Sequence, residues 1–342
     1  MIRTITYNGK SVKTKYHSAL EWQEFHELRA QYYAKPSIEQ VQLEILKFHQ
    51  GGIKTTLITN YYFKALMSKV ILYHSKFSIQ EVFMCKELLE VFTGKVALNK
   101  KVFPESQPLI KNITTAIRLG GKGIASKPTN FPVKVAKQIL DKYNVNNNYY
   151  DFSCGWGVRM LSALSLGINY YGSDPNTELV EQLNSLEKEY RKVTRVDSLV
   201  KLYPKGSEIF IPELENKIGL SFSSPPYFNL EDYRVGEQSY KVGTSYGDWL
   251  KNFVEPMLTN LYRYAINNGI IAINVKNFNG NNLYNDIFKM CKELGLVLVE
   301  EIVLDIGKRP QQHTEEKIMV FKKQKGLNKN LTINLMSQSR GL

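Results

Sequence analysis

Ser224-Pro225-Pro226-Tyr227 places a small hydroxyl, two rigid imino acids and a flat aromatic ring at consecutive positions. The run before it, Ile218 to Phe222, is mostly apolar and reads as a short buried strand. Proline has no N–H and a fixed φ, so the strand cannot continue and the backbone beyond it is stiff. In an open α/β sheet, ligands bind outside the carboxyl ends of the strands. A hydroxyl, a free carbonyl and a stacking face at such an end suit a planar substrate bearing an amino group. Four residues also make a plain proline-stiffened turn, so the rest of the chain has to decide.

A second constellation lies upstream. Asn148 to Phe152 reads as a strand that runs into the glycine turn Ser153-Cys154-Gly155-Trp156-Gly157. A helix follows from Val158 to Leu166, then a strand, Ile168 to Ser173, that ends at Asp174. Strand, glycine turn, helix and strand closed by a carboxylate form the first unit of a nucleoside-binding sheet. The turn lets a cofactor approach the backbone, and the carboxylate accepts from ribose hydroxyls. Met160 stands where GxGxxG would have its third glycine, which disfavours NAD. Gly120-Gly121-Lys122-Gly123 fails the Walker pattern, which needs Gly-Lys-Ser/Thr opening a helix.

Residues 1–15 predict a hairpin about Asn8-Gly9. From His17 to Leu98, apolar residues recur at helical spacing, with helix starts at Ser37 (Gln40 three residues on) and Ser78 (Glu81 three residues on). Residues 99–130 hold several prolines and glycines and read as less regular, with Leu119–Lys127 a flexible basic linker or lid. A helix entered through Pro132 precedes the strand at Asn148. Beyond Tyr227, residues Phe228 to Gly247 read as a mobile tyrosine-rich loop. A helix over Trp249–Asn267, a strand over Gly269–Val275, a helix over Leu283–Leu294 and strands over Val297–Leu304 and Glu316–Lys322 follow. The expected organisation is a mainly helical basic region over 1–125, a catalytic α/β domain over 126–323 and a loose tail over 324–342.

The 342 residues are 43% hydrophobic and 23% charged, an ordinary globular composition. No apolar run approaches the roughly 18 residues of a membrane span, and no signal-peptide pattern opens the chain. Cys85, Cys154 and Cys291 are widely spaced, so neither a disulfide framework nor a metal site is indicated, and a cytoplasmic setting is expected. The net charge of +13 is uneven: residues 1–130 hold 19 Lys and Arg against 9 Asp and Glu, and the remainder 26 against 23. A basic, aromatic-rich N-terminal third suits a polyanion.

Together these pieces resemble the amino-directed DNA methyltransferases that carry an Asp/Asn/Ser-Pro-Pro-aromatic motif, of the kind found in phages and mobile elements. Phe131-Pro132 resembles the segment those enzymes pack against the methionine end of S-adenosylmethionine. Asp151, Ser153, Cys154, Gly155, Trp156 and Gly157 resemble their cofactor loop, and Asp174-Pro175-Asn176 their ribose-binding turn. Glu208 matches a further cofactor-side acidic position, and Ser223, counted with the cofactor-binding residues, adjoins the catalytic motif Ser224, Pro225, Pro226 and Tyr227. The order is cofactor loop, acidic turn, then motif, with 68 positions from Gly157 to Pro225. The resemblance implies an α/β, Rossmann-like class I methyltransferase sheet, mostly parallel with an antiparallel last strand, beside a mainly helical N-terminal domain.

It also implies chemistry. The Ser224 side chain and the Pro225 carbonyl would accept from an exocyclic amino group, aiming its lone pair at the sulfonium methyl, while Tyr227 stacks on the flipped base. None of the three cysteines follows a proline, which disfavours C5-cytosine chemistry. Cytosine N4 and adenine N6 both remain open, with this motif leaning to cytosine. Lys122, Lys127, Tyr233, Lys308, Arg309 and His313 are the candidate nucleic-acid contacts. No large insertion supplies a conventional target-recognition domain. The implied partners are DNA and, beside it, a cognate nuclease or a second copy of the chain. An RNA methyltransferase of the same fold and a catalytically inactive DNA-binding or anti-restriction protein are the alternatives.

Overall fold

A computed structural model describes residues 2–120, 123–228, 230–234, 238–242, 245–304 and 316–324. Numbered along the chain, the strands are β1 (Arg3–Tyr7), β2 (Lys10–Thr14), β3 (Ile71–Leu72), β4 (Asn148–Asp151), β5 (Asn169–Ser173), β6 (Val200–Tyr203), β7 (Ile218–Ser223), β8 (Glu231–Asp232), β9 (Ala265–Val275), β10 (Leu296–Leu304) and β11 (Glu316–Lys323). The chain falls into two units. One comprises Met1–Glu44, Thr55–Asn130 and Tyr227–Gly236; the other comprises Ile45–Lys54, Phe131–Pro226 and Glu237–Leu342.

In the first unit β1 and β2 form the expected hairpin. Asn8 (φ 47°) and Gly9 (φ 73°) take the two left-handed positions that a two-residue turn between twisted strands requires. Ser78 caps the helix Ile79–Met84: its hydroxyl accepts from the Glu81 N–H, and Glu81 returns a bond to the Ser78 N–H. Ser37 and Gln40 exchange the same pair of bonds. Phe25, Leu28, Phe83, Leu89 and Phe92 share one buried cluster, in which the Tyr32 ring stacks on Phe83 at 4.1 Å.

Two expectations need correction here. Within 99–130, expected to be less regular, the chain forms a three-turn helix, Leu109–Gly120. Ile113, Ala116 and Ile117 of this helix are buried in the same cluster, and Pro108 precedes its first residue, where a missing N–H costs nothing. The scatter of glycine and proline masked that periodicity. The tyrosine-rich stretch after Tyr227 is not all loop either, since Glu231 and Asp232 form β8 and pair with β3.

The second unit is built on a seven-stranded sheet of order β10-β11-β9-β7-β4-β5-β6. Strands β9, β7, β4, β5 and β6 run parallel to one another, and β11 enters antiparallel between β9 and β10. This is an α/β, Rossmann-like sheet, mostly parallel with an antiparallel closing strand. All six residues of β7 are buried, as a central strand covered on both faces requires.

The helix expected over Trp249–Asn267 is shorter and interrupted. A π-helical turn, Leu250–Val254, precedes Glu255–Tyr264, because Pro256 supplies no N–H to the preceding turn. The chain then joins the sheet at Ala265, which pairs with Ile218. None of the described helices is long and apolar enough to cross a membrane.

Candidate active site

Parallel strands bring their carboxyl ends to one edge of the sheet, and most of the motif residues lie at that edge. The glycine turn leaves β4 at Asp151. Gly155 (φ 55°) and Gly157 (φ 75°) both adopt the left-handed conformation that side chains disfavour, and Gly157 caps the helix Val158–Ser165. The Cys154 N–H donates to the Ser173 carbonyl at 3.1 Å, tying the turn to the end of β5. A β-carbon at Gly172 would stand 2.6 Å from Cys154 Sγ, so glycine there permits the close approach. Cys154 is buried and its thiol is pushed up by that burial, which fits packing and not nucleophilic attack.

Asp151 is wholly buried. Its Oδ2 accepts from Arg159 Nε and from the Tyr170 hydroxyl, each at 3.0 Å, and its Oδ1 from the Ser153 N–H at 3.4 Å. Arg159 also donates to the Ser153 carbonyl, and its guanidinium lies 5.6 Å from the centre of the Phe131 ring. Phe131 in turn meets Phe222 edge-on at 5.5 Å. Asp151 and Arg159 therefore shape the turn from beneath. Pro132 is exposed at the start of the helix Val133–Tyr143, and Trp156 is half-buried.

Asp174 follows β5 and retains partial exposure. Burial, with repulsion from Asp151 added, pushes its carboxyl up to about 7, despite N–H bonds from Asn176 and Gly155 that favour the charged form. Pro175 follows it, and the Asn176 side chain accepts from Leu179 N–H at 3.1 Å, capping the helix Thr177–Thr194. Beyond β6, the Glu208 carboxylate lies over Gly206, while Asn260 Nδ2 donates to the Ser207 and Glu208 carbonyls at 3.0 and 2.9 Å.

At the end of β7 the Ser223 hydroxyl donates to the Ser153 carbonyl at 3.1 Å, joining the motif strand to the glycine turn. Ser224 Oγ accepts from Asn274 Nδ2 at 2.8 Å, and the same nitrogen lies 2.5 Å from Glu316 Oε1. Asn274 is buried near the end of β9, and Glu316 opens β11. Because β11 is antiparallel, its first residue reaches the edge where the parallel strands end. Pro225 is buried and Pro226 half-buried, and the second unit ends this stretch at Pro226.

Tyr227 and Tyr233 belong to the segment counted with the first unit, where the Tyr233 hydroxyl donates to Glu231. Lys127 lies in that unit too. Burial and then Arg118 lower its pKa, and burial and then Lys127 push Lys64 down to about 8. Lys122, Lys308, Arg309 and His313 lie outside the described residues. Among the described residues no group of His, Cys, Asp and Glu is disposed to hold a metal ion.

Sequence reading missed Arg159, Tyr170, Asn274 and Glu316. Two had a signal: a cation in the first turn of a helix opposes the dipole, and Asn274 interrupts the apolar run Ile270 to Val275. Tyr170 and Glu316 had none, being partners fixed by strand pairing.

No protein-family model matches the sequence, and no curated protein matches it. Among solved structures the sheet unit is similar to the [4+2]-cyclase SpnF (11% identity, 56% of this chain and 80% of that one, TM-score 0.41). It is also similar to a TehB-like SAM-dependent methyltransferase from Corynebacterium glutamicum (16%, 55% and 87%, 0.39) and a SAM-dependent O-methyltransferase from Thermotoga maritima (10%, 58% and 67%, 0.39). Similarity at this level does not specify a reaction.

Proposed function

We propose that this chain transfers a methyl group from S-adenosylmethionine to an exocyclic amino group of cytosine (N4) or adenine (N6) in DNA. The observation that carries the reading is the Ser223–Ser153 hydrogen bond, which sets the glycine turn beside Ser224 at one edge of the sheet. The residues there suit the cofactor: a turn with two left-handed glycines admits it against the backbone, and Asp174 offers ribose an acceptor. When bound, it supplies an electrophilic sulfonium methyl. Asn274 donates to the Ser224 hydroxyl, whose oxygen has a second lone pair for the amino group, and Pro225 and Pro226 keep the following carbonyls rigid. An amino nitrogen held by two acceptors keeps its own lone pair free for an in-line approach. Tyr227, next in the chain, is assigned to stacking on the base.

Methyl transfer measured side by side on duplex DNA, single-stranded DNA and RNA tests the proposal, with nucleosides identified by mass spectrometry. N4-methylcytosine or N6-methyladenine in DNA is expected. Transfer confined to RNA, or cofactor binding without transfer to any nucleic acid, would overturn it.

Asp174 gives the cofactor site a pH dependence. Its folded pKa lies above the ordinary 3.8, so the folded apo-protein holds a proton through that interval that the unfolded chain has released. Apo-stability therefore falls as pH rises from 3.8 to about 7. Ribose hydroxyls donate better to the carboxylate, so cofactor affinity rises across neutrality and should be about tenfold weaker at pH 6 than at pH 8. Calorimetry on wild-type and Asp174→Asn checks this; an equally steep profile in the variant would remove Asp174 from the pocket.

A further inference from the structure

A cavity of about 300 Å³ opens in the first unit, between the end of β2 and the helix Lys86–Ala97. Its floor is apolar, with Val12 and Phe92 buried. Lys13, Lys15 and Lys95 line it together with Tyr16, and no Asp or Glu stands among the described lining residues. The volume is at the lower end for a bound small ligand. The Lys15 and Lys95 ammonium groups lie 5.7 and 5.6 Å from the centre of the Tyr16 ring. Cation–π attraction is weak near that limit, so a phosphate oxygen competes for both groups. Burial lowers the pKa of Lys95, and an anion beside it would raise it again. The Tyr16 N–H donates to Thr14 Oγ1 at 3.1 Å, which fixes the backbone turn that presents the ring.

We propose that this cavity takes one nucleotide unit of DNA, its phosphate between Lys15 and Lys95 and its sugar and base against Tyr16. The inference rests on the reading of the chain as a DNA methyltransferase, and it names a contact surface that reading leaves unassigned. Three cations, one ring and a ligand-sized hollow with no Asp or Glu among its described lining residues match the demands of a phosphodiester. Each phosphate neutralised steepens the salt dependence of binding by about 0.9 in the logarithmic slope, and an aromatic face adds sequence-tolerant stacking.

Binding of a fluorescent DNA duplex, a single strand and an RNA of equal length, each over a salt series, tests this in the full chain. Lys15→Gln/Lys95→Gln should weaken DNA binding at least tenfold and flatten the slope by about one. Tyr16→Phe should bind as wild type and Tyr16→Leu more weakly. Lys101→Gln, which removes one charge elsewhere in this unit, should cost far less than Lys15→Gln alone. If the double variant unfolds, Lys15→Gln alone carries the test, since Lys15 is exposed. Equal losses on DNA and RNA support a phosphodiester site. An unchanged affinity and slope, a loss confined to RNA, or a loss matched by Lys101→Gln would overturn it. The two readings fail separately. Lysine-dependent DNA binding without methyl transfer keeps the cavity and removes the enzyme; methyl transfer with indifferent lysine variants does the reverse.

Discussion

Ser224→Ala is expected to slow single-turnover methyl transfer by about 100-fold, the scale on which a preorganised polar contact to a reacting group acts. Cofactor affinity and thermal stability should stay near wild type. The hydroxyl is half-exposed and contributes one hydrogen bond to Asn274, which keeps Glu316 as an acceptor. Its loss should therefore cost the fold no more than about 1 kcal/mol. An amino nitrogen that must pyramidalise needs that acceptor most in the transition state, so kcat should fall and KM should not. Asn274→Ala, which frees the serine rotor, should give a smaller defect of the same kind. Tyr227→Ala should weaken base binding as well as turnover, stacking being worth roughly 1–3 kcal/mol per base; Tyr227→Phe should retain activity. A Ser224→Ala protein that is destabilised, yet whose folded fraction turns over normally, would make the motif a structural turn.

Arg159→Ala should destabilise the protein by about 3–5 kcal/mol, the cost of leaving one member of a buried ion pair alone. Arg159 is 7% exposed and Asp151 fully buried, and the guanidinium serves the Asp151 carboxylate, the Ser153 carbonyl and the face of Phe131 at once. Without it, Asp151 keeps only the Tyr170 hydroxyl and a long N–H contact. The glycine turn sits on this pair, so cofactor binding should be lost along with stability. Asp151→Asn/Arg159→Met should recover much of the loss, because no charge is then buried unpaired. Urea unfolding of the single and double variants measures this. A loss below about 1 kcal/mol for Arg159→Ala would mean that the pair is solvated and does not support the turn.

The sheet was legible in the chain because its determinants are local. The strand runs end at Asp151, Asp174 and Pro225, the last two followed by a proline that cannot continue the pairing, and the capping residues Ser37 and Ser78 announce their helices without reference to anything distant. The same holds for the hairpin at Asn8-Gly9, where two left-handed residues dictate the turn. The helix Leu109–Gly120 was harder to see, since its buried stripe of Ile113, Ala116 and Ile117 lies between breakers whose composition argues for loop.

What the residues determined by themselves is which side chains stand at the strand ends: a hydroxyl before two prolines, glycines after an acid, a second acid after β5. Tertiary structure alone decided how those groups are used. Asp151, read as part of the cofactor loop, accepts from Arg159 and Tyr170; Asn176 caps a helix; Asn274, 50 positions beyond Ser224, donates to its hydroxyl and also meets Glu316, 92 positions beyond. A hydrogen bond depends on a separation of about 3 Å and on direction. Only the register of β7, β9 and the antiparallel β11 sets those, and register is a property of the paired strands together.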